Sequence, residues 1–327
     1  MHSHVSVPAA AEFVKPHLGP SANLLSKFAT QETQAINQKQ EEDRRTRMSG
    51  RDNGLEERLR DLDAMGIDIQ VVTPPPPQCY FTLAPEIAVK AARMVNEGIA
   101  EYVTRKPDRF VAMGTVPFQD PKEAVAELEH GMKKLGFKGV EIVTNVAGRE
   151  LSEPAYAPFW KRAEELGALV FVHPIGFTEG GRFSRFYFNN VIGNPLETTI
   201  ALHYLIFDGV LERHPALKIF AVHGGGFLGA YSGRIDHVWG ARTDGNANLP
   251  HPPTHYLKKI YVDTIVFTPH QLEALIKLFG PEHVLLGTDY PFDMGEYDPV
   301  GYVMNASLDE KAKAAIVGGN AKQLLGL

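Results

Sequence analysis

Residues 217–226 read LKIFAVHGGG, and two other stretches share their form: 168–174, ALVFVHP, and 283–293, HVLLGTDYPFD. In each, an apolar run of strand length ends on a residue able to bind a metal or move a proton: His223, His173 and Asp289. Short apolar runs without polar alternation mark strands buried on both faces of a parallel sheet. Further runs at Ile67–Thr73, Phe110–Val116, Gly139–Thr144 and Ile260–Thr264 alternate with segments of helical spacing at Pro85–Arg105, Pro121–Leu135, Pro154–Leu166, Asn194–Arg213, Gly225–Trp239 and Pro269–Phe279, and a last helix falls near Asp309–Leu325. Several of these open on Pro, and Gly136, Gly167 and Gly280 follow their ends, as helix start and stop chemistry predicts.

Seven strands alternating with helices require a parallel sheet. An open doubly wound sheet is one solution, but no Gly-x-Gly-x-x-Gly follows any of the strands. If the segment around His2 and His4 ends a first strand, the count becomes eight and a closed (β/α)8 TIM barrel follows. That is the preferred reading, as a single domain over residues 1–327. His2 and His4 stand where a strand would ordinarily have several residues before them, so the chain reads as lacking the start of that strand. Residues 14–54, rich in Gln and charge (QETQAINQKQEEDRRTRMSGRDNG), read as a polar insertion after it, a solvated loop or helix face.

Composition narrows the partners. Lys and Arg number 33 against 39 Asp and Glu, a net charge of −6, and the basic residues are scattered, so no nucleic-acid footprint is expected. The first residues carry no cationic, then apolar, leader, and no apolar window is long enough to span a membrane, so a cytoplasmic protein is expected. The single cysteine, Cys79, excludes an internal disulfide and a thiolate metal cage. Any metal must therefore be held by His, Asp or Glu, and there are thirteen histidines.

In a parallel barrel the C-terminal strand ends share one face, which brings His2, His4, His173, His223 and Asp289 together. His2 and His4, two residues apart on a strand, point the same way. A lone His after an apolar strand is more often a hydrogen-bonded core residue than a ligand. Several that the fold requires to meet describe instead an open, catalytic type of metal site built from imidazoles and a carboxylate.

H-S-H at the start, V-H-P at His173, H-G-G-G at His223 with G-R-I-D eleven residues on, V-P-F-Q-D-P after Phe110–Val116, and G-T-D-Y-P-F around Asp289 resemble the amidohydrolase superfamily, in its branch of aromatic-acid and carboxymuconate-semialdehyde decarboxylases. The resemblance implies a distorted (β/α)8 barrel holding one divalent ion, zinc or else manganese, on His2, His4, His173 and Asp289, with His223 beside it as acid/base. It implies decarboxylation of an aromatic or muconate-type acid in aromatic-compound catabolism, His223 and Asp289 handling the proton. It also implies that Arg234 reaches a neighbouring subunit's site in a homodimer, and that Arg47 or Arg51 meets the substrate. No Lys ends the run GVEIVTN, where two-metal relatives carry one, which favours a single ion.

From the residues alone, the loop GGRFSRFYFNN places Arg182 and Arg185 among Phe183, Phe186, Tyr187 and Phe188, either as a subunit contact or as a cover over a planar acidic substrate, and Tyr80 and Phe81 could line the mouth. The remaining nine histidines read as structural, with His203 the first exception to consider. Two alternatives stay open: a metal-dependent hydrolase of a lactone, amide or C–C bond, and a metal-binding barrel without catalysis.

Overall fold

The computed structural model describes residues 1–19, 27–48, 54–246 and 248–327. The apolar runs form parallel strands β1 (Gln70–Val72), β2 (Phe110–Ala112), β3 (Gly114–Thr115), β4 (Gly139–Val143), β5 (Leu169–His173), β6 (Lys218–Ala221), β7 (Ile260–Asp263) and β8 (Val284–Leu285). β2 and β3 are one stave interrupted at Met113, the first half pairing with β1 and the second with β4; from β4 the ladder runs in order to β8.

Residues 2–5 fill the remaining gap. Ser3 bridges Tyr290 beyond β8 and His4 bridges Thr73 beyond β1, both in parallel register. The His4 N–H donates to the Tyr290 carbonyl and the Val5 N–H to the Thr73 carbonyl, each at 2.8 Å. With this segment counted, eight staves close the ring among the described residues, and the barrel has no exposed sheet edge there.

Several strands are shorter than their apolar runs. The run from Ile67 begins in a turn, because the Ile67 N–H is taken by the Leu62 carbonyl at 2.9 Å and Gly66 is left-handed. Beyond Leu285 the chain leaves the ladder, its N–H groups donating to Ile316 (from Leu286) and to His2 (from Thr288 and Asp289). The helix expected from Gly225 starts only at Ser232, since His223, Gly224, Gly225 and Gly226 all have positive φ, which no right-handed helix accepts.

The principal helices on the outside are α1 (Pro8–Val14), α2 (Gln31–Arg47), α3 (Leu55–Ala64), α4 (Pro85–Thr104), α5 (Pro121–Lys134), α6 (Ala157–Leu166), α7 (Asn194–Phe207), α8 (Ser232–Ala241) and α9 (Pro269–Phe279). α2, in the polar stretch, buries no residue and is held by its Thr30 cap.

The barrel interior is an apolar plug of Val71, Met113, Leu169, Phe171, Phe220, Val222 and Leu285 with Leu325. Burying Phe171 and Phe220 contributes about 1.5–3 kcal/mol each. Strand alternation then decides what stands above the plug. Leu169, Phe171 and His173 share one face of β5, so the inward row that packs the interior ends on His173 at the C-terminal rim.

Candidate metal centre

His2 and His4 come from the closing segment, His173 from the end of β5, and Asp289 from the turn beyond β8. Their potential ligand atoms lie within 4.8 Å of one another and all four residues are buried. The three imidazole centroids form a triangle with sides of 5.1 Å and interplanar angles of 78–88°. Each ring is anchored through Nδ1–H, which leaves Nε2 facing the common point. His2 donates to Asp263 Oδ2 at 2.7 Å, His4 to the Pro74 carbonyl at 2.9 Å and His173 to the Pro174 carbonyl at 2.6 Å. The tautomers follow from these partners.

The donors suit a cation. His2 Nε2 and His4 Nε2 lie 3.1 Å apart, and two lone pairs at that distance repel unless a proton or a metal lies between them. His173 Nε2 is buried with no hydrogen-bond partner, a state that costs about 1–3 kcal/mol if nothing else satisfies it, and Asp289 Oδ1 faces the same point, 3.3 Å from His2 Nε2 and 3.4 Å from His4 Nε2. Three imidazole nitrogens and one carboxylate form the donor set of an open divalent-metal site.

His223 stands at the same rim, its centroid 5.3 Å from His173 and its Nε2 3.8 Å from Asp289 Oδ2, while its buried Nδ1 has no partner. His223 (φ 54°) and Asp289 (φ 53°) both hold left-handed backbone, at a cost of about 1–3 kcal/mol each that packing must offset. At the glycine after His223, φ is +63° and a Cβ would come 2.5 Å from Val266 Cγ1, so only glycine fits there.

Two further carboxylates lie behind the candidate ligands, both missed by the sequence reading. Asp263, fully buried at the end of β7, backs His2. Glu141, fully buried in β4, lies 3.6 Å from His4 Nδ1, accepts from the Thr73 hydroxyl at 2.5 Å and has Cys79 Sγ at 3.8 Å. The signals were present: KIYVD ends an apolar run on an acid just as HVLLGTD does, and GVEIV carries an acid inside a buried strand.

Their charge states differ. Burial opposes ionisation of Asp263, but His2 and the Gly224 N–H hold it below the usual carboxylate range; Asp289, also opposed by burial, is held well below that range by His2, His223 and His4. Burial pushes Glu141 up to about 8. Burial disfavours charge on His2, but Asp289 and Asp263 prevail and move it up to about 9; burial lowers His4, and burial with the neighbouring imidazoles lowers His173 well below its ordinary value.

The arginines divide. Arg47, near the end of α2, is paired with Asp61 and lies 3.3 Å from the Tyr290 hydroxyl, so its guanidinium is already engaged at the edge of the site. Arg44, one turn earlier, stands 4.8 Å over the Phe292 ring, which is itself 5.1 Å from the His4 ring; sequence reading passed it over. Arg51 lies outside the described residues. Arg234 is exposed on α8. Arg182 and Arg185 are exposed on the loop after β5, Arg185 over Phe186 at 4.6 Å. That loop meets the segment before α2, the Thr30 N–H donating to the Ser184 carbonyl at 3.0 Å. Burial, then Asp293 and Asp289, push the Tyr187 phenol up.

Tyr80 and Phe81 do not line the mouth. The short helical turn Pro76–Cys79 carries them inward, and both are 6% exposed in the layers between strands and helices. His203 donates to the Thr199 carbonyl at 2.7 Å and stacks on Phe207, and His214 pairs with Glu164 at 3.0 Å.

Comparison with known proteins gives the same direction. The amidohydrolase family profile matches residues 1–327. A 2-amino-3-carboxymuconate-6-semialdehyde decarboxylase of Dictyostelium discoideum is 36% identical over 272 residues, covering 83% of this chain and 76% of that protein. The structure of a dihydroxybenzoic acid decarboxylase from Polaromonas sp. JS666, with bound manganese and the inhibitor 2-nitroresorcinol, matches with a TM-score of 0.78 at 26% identity, over 92% of this chain and 95% of that one. A 5-carboxyvanillate decarboxylase from Sphingomonas paucimobilis has the same fold, with a TM-score of 0.86 at 24% identity over 100% of this chain and 98% of its own.

Proposed function

We propose that this chain, which belongs to the amidohydrolase family, is a metal-dependent decarboxylase that releases CO2 from an aromatic or muconate-type carboxylic acid. The observation that carries this reading is the meeting of three Nε2 atoms and the Asp289 carboxylate at one point, with His223 3.8 Å from Asp289. A divalent ion on His2, His4, His173 and Asp289 would supply positive charge to the substrate carboxylate and an adjacent oxygen.

The protein's own groups handle the proton. His223 delivers it to the ring or vinyl carbon that bears the carboxylate, and Asp289, whose Oδ2 faces His223 Nε2, orients that imidazole. The C–C bond then breaks, its electron pair restores the π system, and CO2 leaves. Carboxylate and one proton have become CO2 and a C–H bond.

Arg47 and Arg44, on leaving their pairs with Asp61 and Glu41, are assigned to the substrate's outer acidic group, Arg182 and Arg185 to the covering loop, and Arg234 to the site of a second subunit in a homodimer. The exposed Phe227 and Tyr231 beside Arg234 support that dimer. Residues 1–327 act as one domain, cytoplasmic in this reading, with residues 14–54 an insertion within it whose described helix α2 brings Arg44 and Arg47 to the edge of the site. Three imidazoles and a carboxylate support zinc as the ion. Manganese is the second reading, favoured by the ion in the Polaromonas relative.

The deciding experiment offers 2-amino-3-carboxymuconate 6-semialdehyde, 2,6-dihydroxybenzoate and 5-carboxyvanillate to protein purified without a tag, measuring CO2 release and metal content together. CO2 from at least one acid, with about one equivalent of metal, is expected. Turnover of lactones or esters without CO2 would make the protein a hydrolase, and a metal-loaded protein inert to every class would be a binding barrel.

A further inference from the structure

Asp263 touches two parts of the site at once. Its Oδ2 accepts His2 Nδ1–H at 2.7 Å, and its Oδ1 accepts the Gly224 N–H at 2.8 Å and the Ile265 N–H at 3.2 Å. Gly224 follows His223 directly, in a run of four residues with positive φ. The carboxylate is fully buried, and the neighbouring turn packs closely on its stem: a Cβ added at Gly287 would lie 2.9 Å from Asp263 Cβ.

We infer that Asp263 is a positioning residue that fixes the metal-facing nitrogen of His2 and the turn carrying His223 through its two oxygens. On the His2 side, an acceptor facing Nδ1 requires that nitrogen to keep its proton, so Nε2 presents its lone pair to the ion. On the other side, the Gly224 N–H ties a backbone that steric strain would otherwise release. One side chain therefore sets the distance between the ion and the acid/base imidazole, although it meets neither ion nor substrate.

The inference rests on the metal reading, and two variants separate its failure from the failure of that reading. Asp263→Asn keeps volume and an acceptor for Gly224 but turns an NH2 group toward His2 Nδ1, favouring the wrong tautomer. Asp263→Ala removes both supports. Mn2+ affinity is measured by equilibrium dialysis, and backbone hydrogen exchange is followed over residues 222–226. Asp263→Asn is expected to bind Mn2+ about 10–100-fold more weakly with exchange near the wild-type rate; Asp263→Ala is expected to show both the weaker binding and faster exchange.

Wild-type Mn2+ affinity in Asp263→Asn, or unchanged exchange in a folded Asp263→Ala, overturns the inference. If the alanine variant does not fold, the wild-type Gly224 amide decides: it is expected to be strongly protected, and rapid exchange there overturns the turn-holding role. A wild-type protein that binds no Mn2+ or Zn2+ would instead overturn the metal reading itself.

Discussion

His2 and His4 stand two residues apart on one closing segment and aim their Nε2 atoms at the same point, yet what backs them differs. Behind His2 lies Asp263, held ionised by the imidazole and a backbone N–H at 2.7 and 2.8 Å. Behind His4 the close partner is a neutral carbonyl, Pro74 at 2.9 Å, and the nearby Glu141 is pushed up to about 8 by burial. The difference teaches how the centre balances charge. A divalent ion brings two positive charges, and Asp289 with Asp263 supplies two negative ones. A third ionised carboxylate would leave the buried cluster with excess charge that solvent cannot screen, at a cost of several kcal/mol. In the metal-free site burial already favours the neutral form of Glu141, which adds nothing to that sum.

Both halves of the comparison depend on Asp289, so its loss should have the largest effect. Asp289→Ala is expected to lose bound metal and to reduce turnover by about 10³-fold or more. Metal content near one equivalent in that variant would show that the imidazoles alone hold the ion. His223→Ala should reduce turnover by about 10²–10⁴-fold while keeping the metal, because His223 lies outside the four-residue donor cluster. Loss of the ion from His223→Ala would move that residue into the coordination set and undo the assignment of roles.

Much of this is legible in the sequence. Strand ends at His173, His223 and Asp289 marked the rim because a closed parallel barrel leaves no other place for them, and H-S-H had to face one way. What escaped was whatever depends on the third dimension. Asp263 has the same strand-end signal as Asp289, but nothing along the chain says that it faces His2. Glu141 breaks an apolar strand, yet its charge state depends on burial. Arg44 and Arg47 both sit on a helix that buries none of its residues, where spacing cannot say which guanidinium Asp61 has already engaged. Tyr80 and Phe81 were misplaced because a proline-rich segment reads as a loop whether it turns outward or inward.

The ionised backing of His2 has a consequence in pH. With Asp289 and Asp263 moving His2 up to about 9, the metal-free site carries a proton there through the neutral range. Metal binding must expel it, so Mn2+ affinity should rise about tenfold per pH unit between pH 6 and 8 and level off near pH 9. An affinity independent of pH in that window would mean that His2 is neutral without metal and that Asp263 is a weaker partner than the geometry indicates.

The smallest effect is expected at Glu141, and it tests the other half directly. A neutral carboxyl and an amide have nearly the same shape, and either can accept from the Thr73 hydroxyl, so Glu141→Gln should change Mn2+ affinity by less than about threefold and, near pH 5, stability by less than about 1 kcal/mol. Its pH signature is the sharper measurement. An unfolded glutamate releases its proton near 4.5, whereas the folded one retains it to about 8. The native state then binds the extra proton between those values, so the contribution of Glu141 to wild-type stability declines as pH rises across the window and is lowest above it. In metal-depleted protein, Glu141→Gln should remove that decline, leaving the variant relatively more stable at pH 8 than at pH 5 when each is compared with wild type by denaturant unfolding. If the glutamine variant instead lowers Mn2+ affinity as strongly as Asp263→Asn, Glu141 is ionised beside the ion, and the two imidazoles are backed alike.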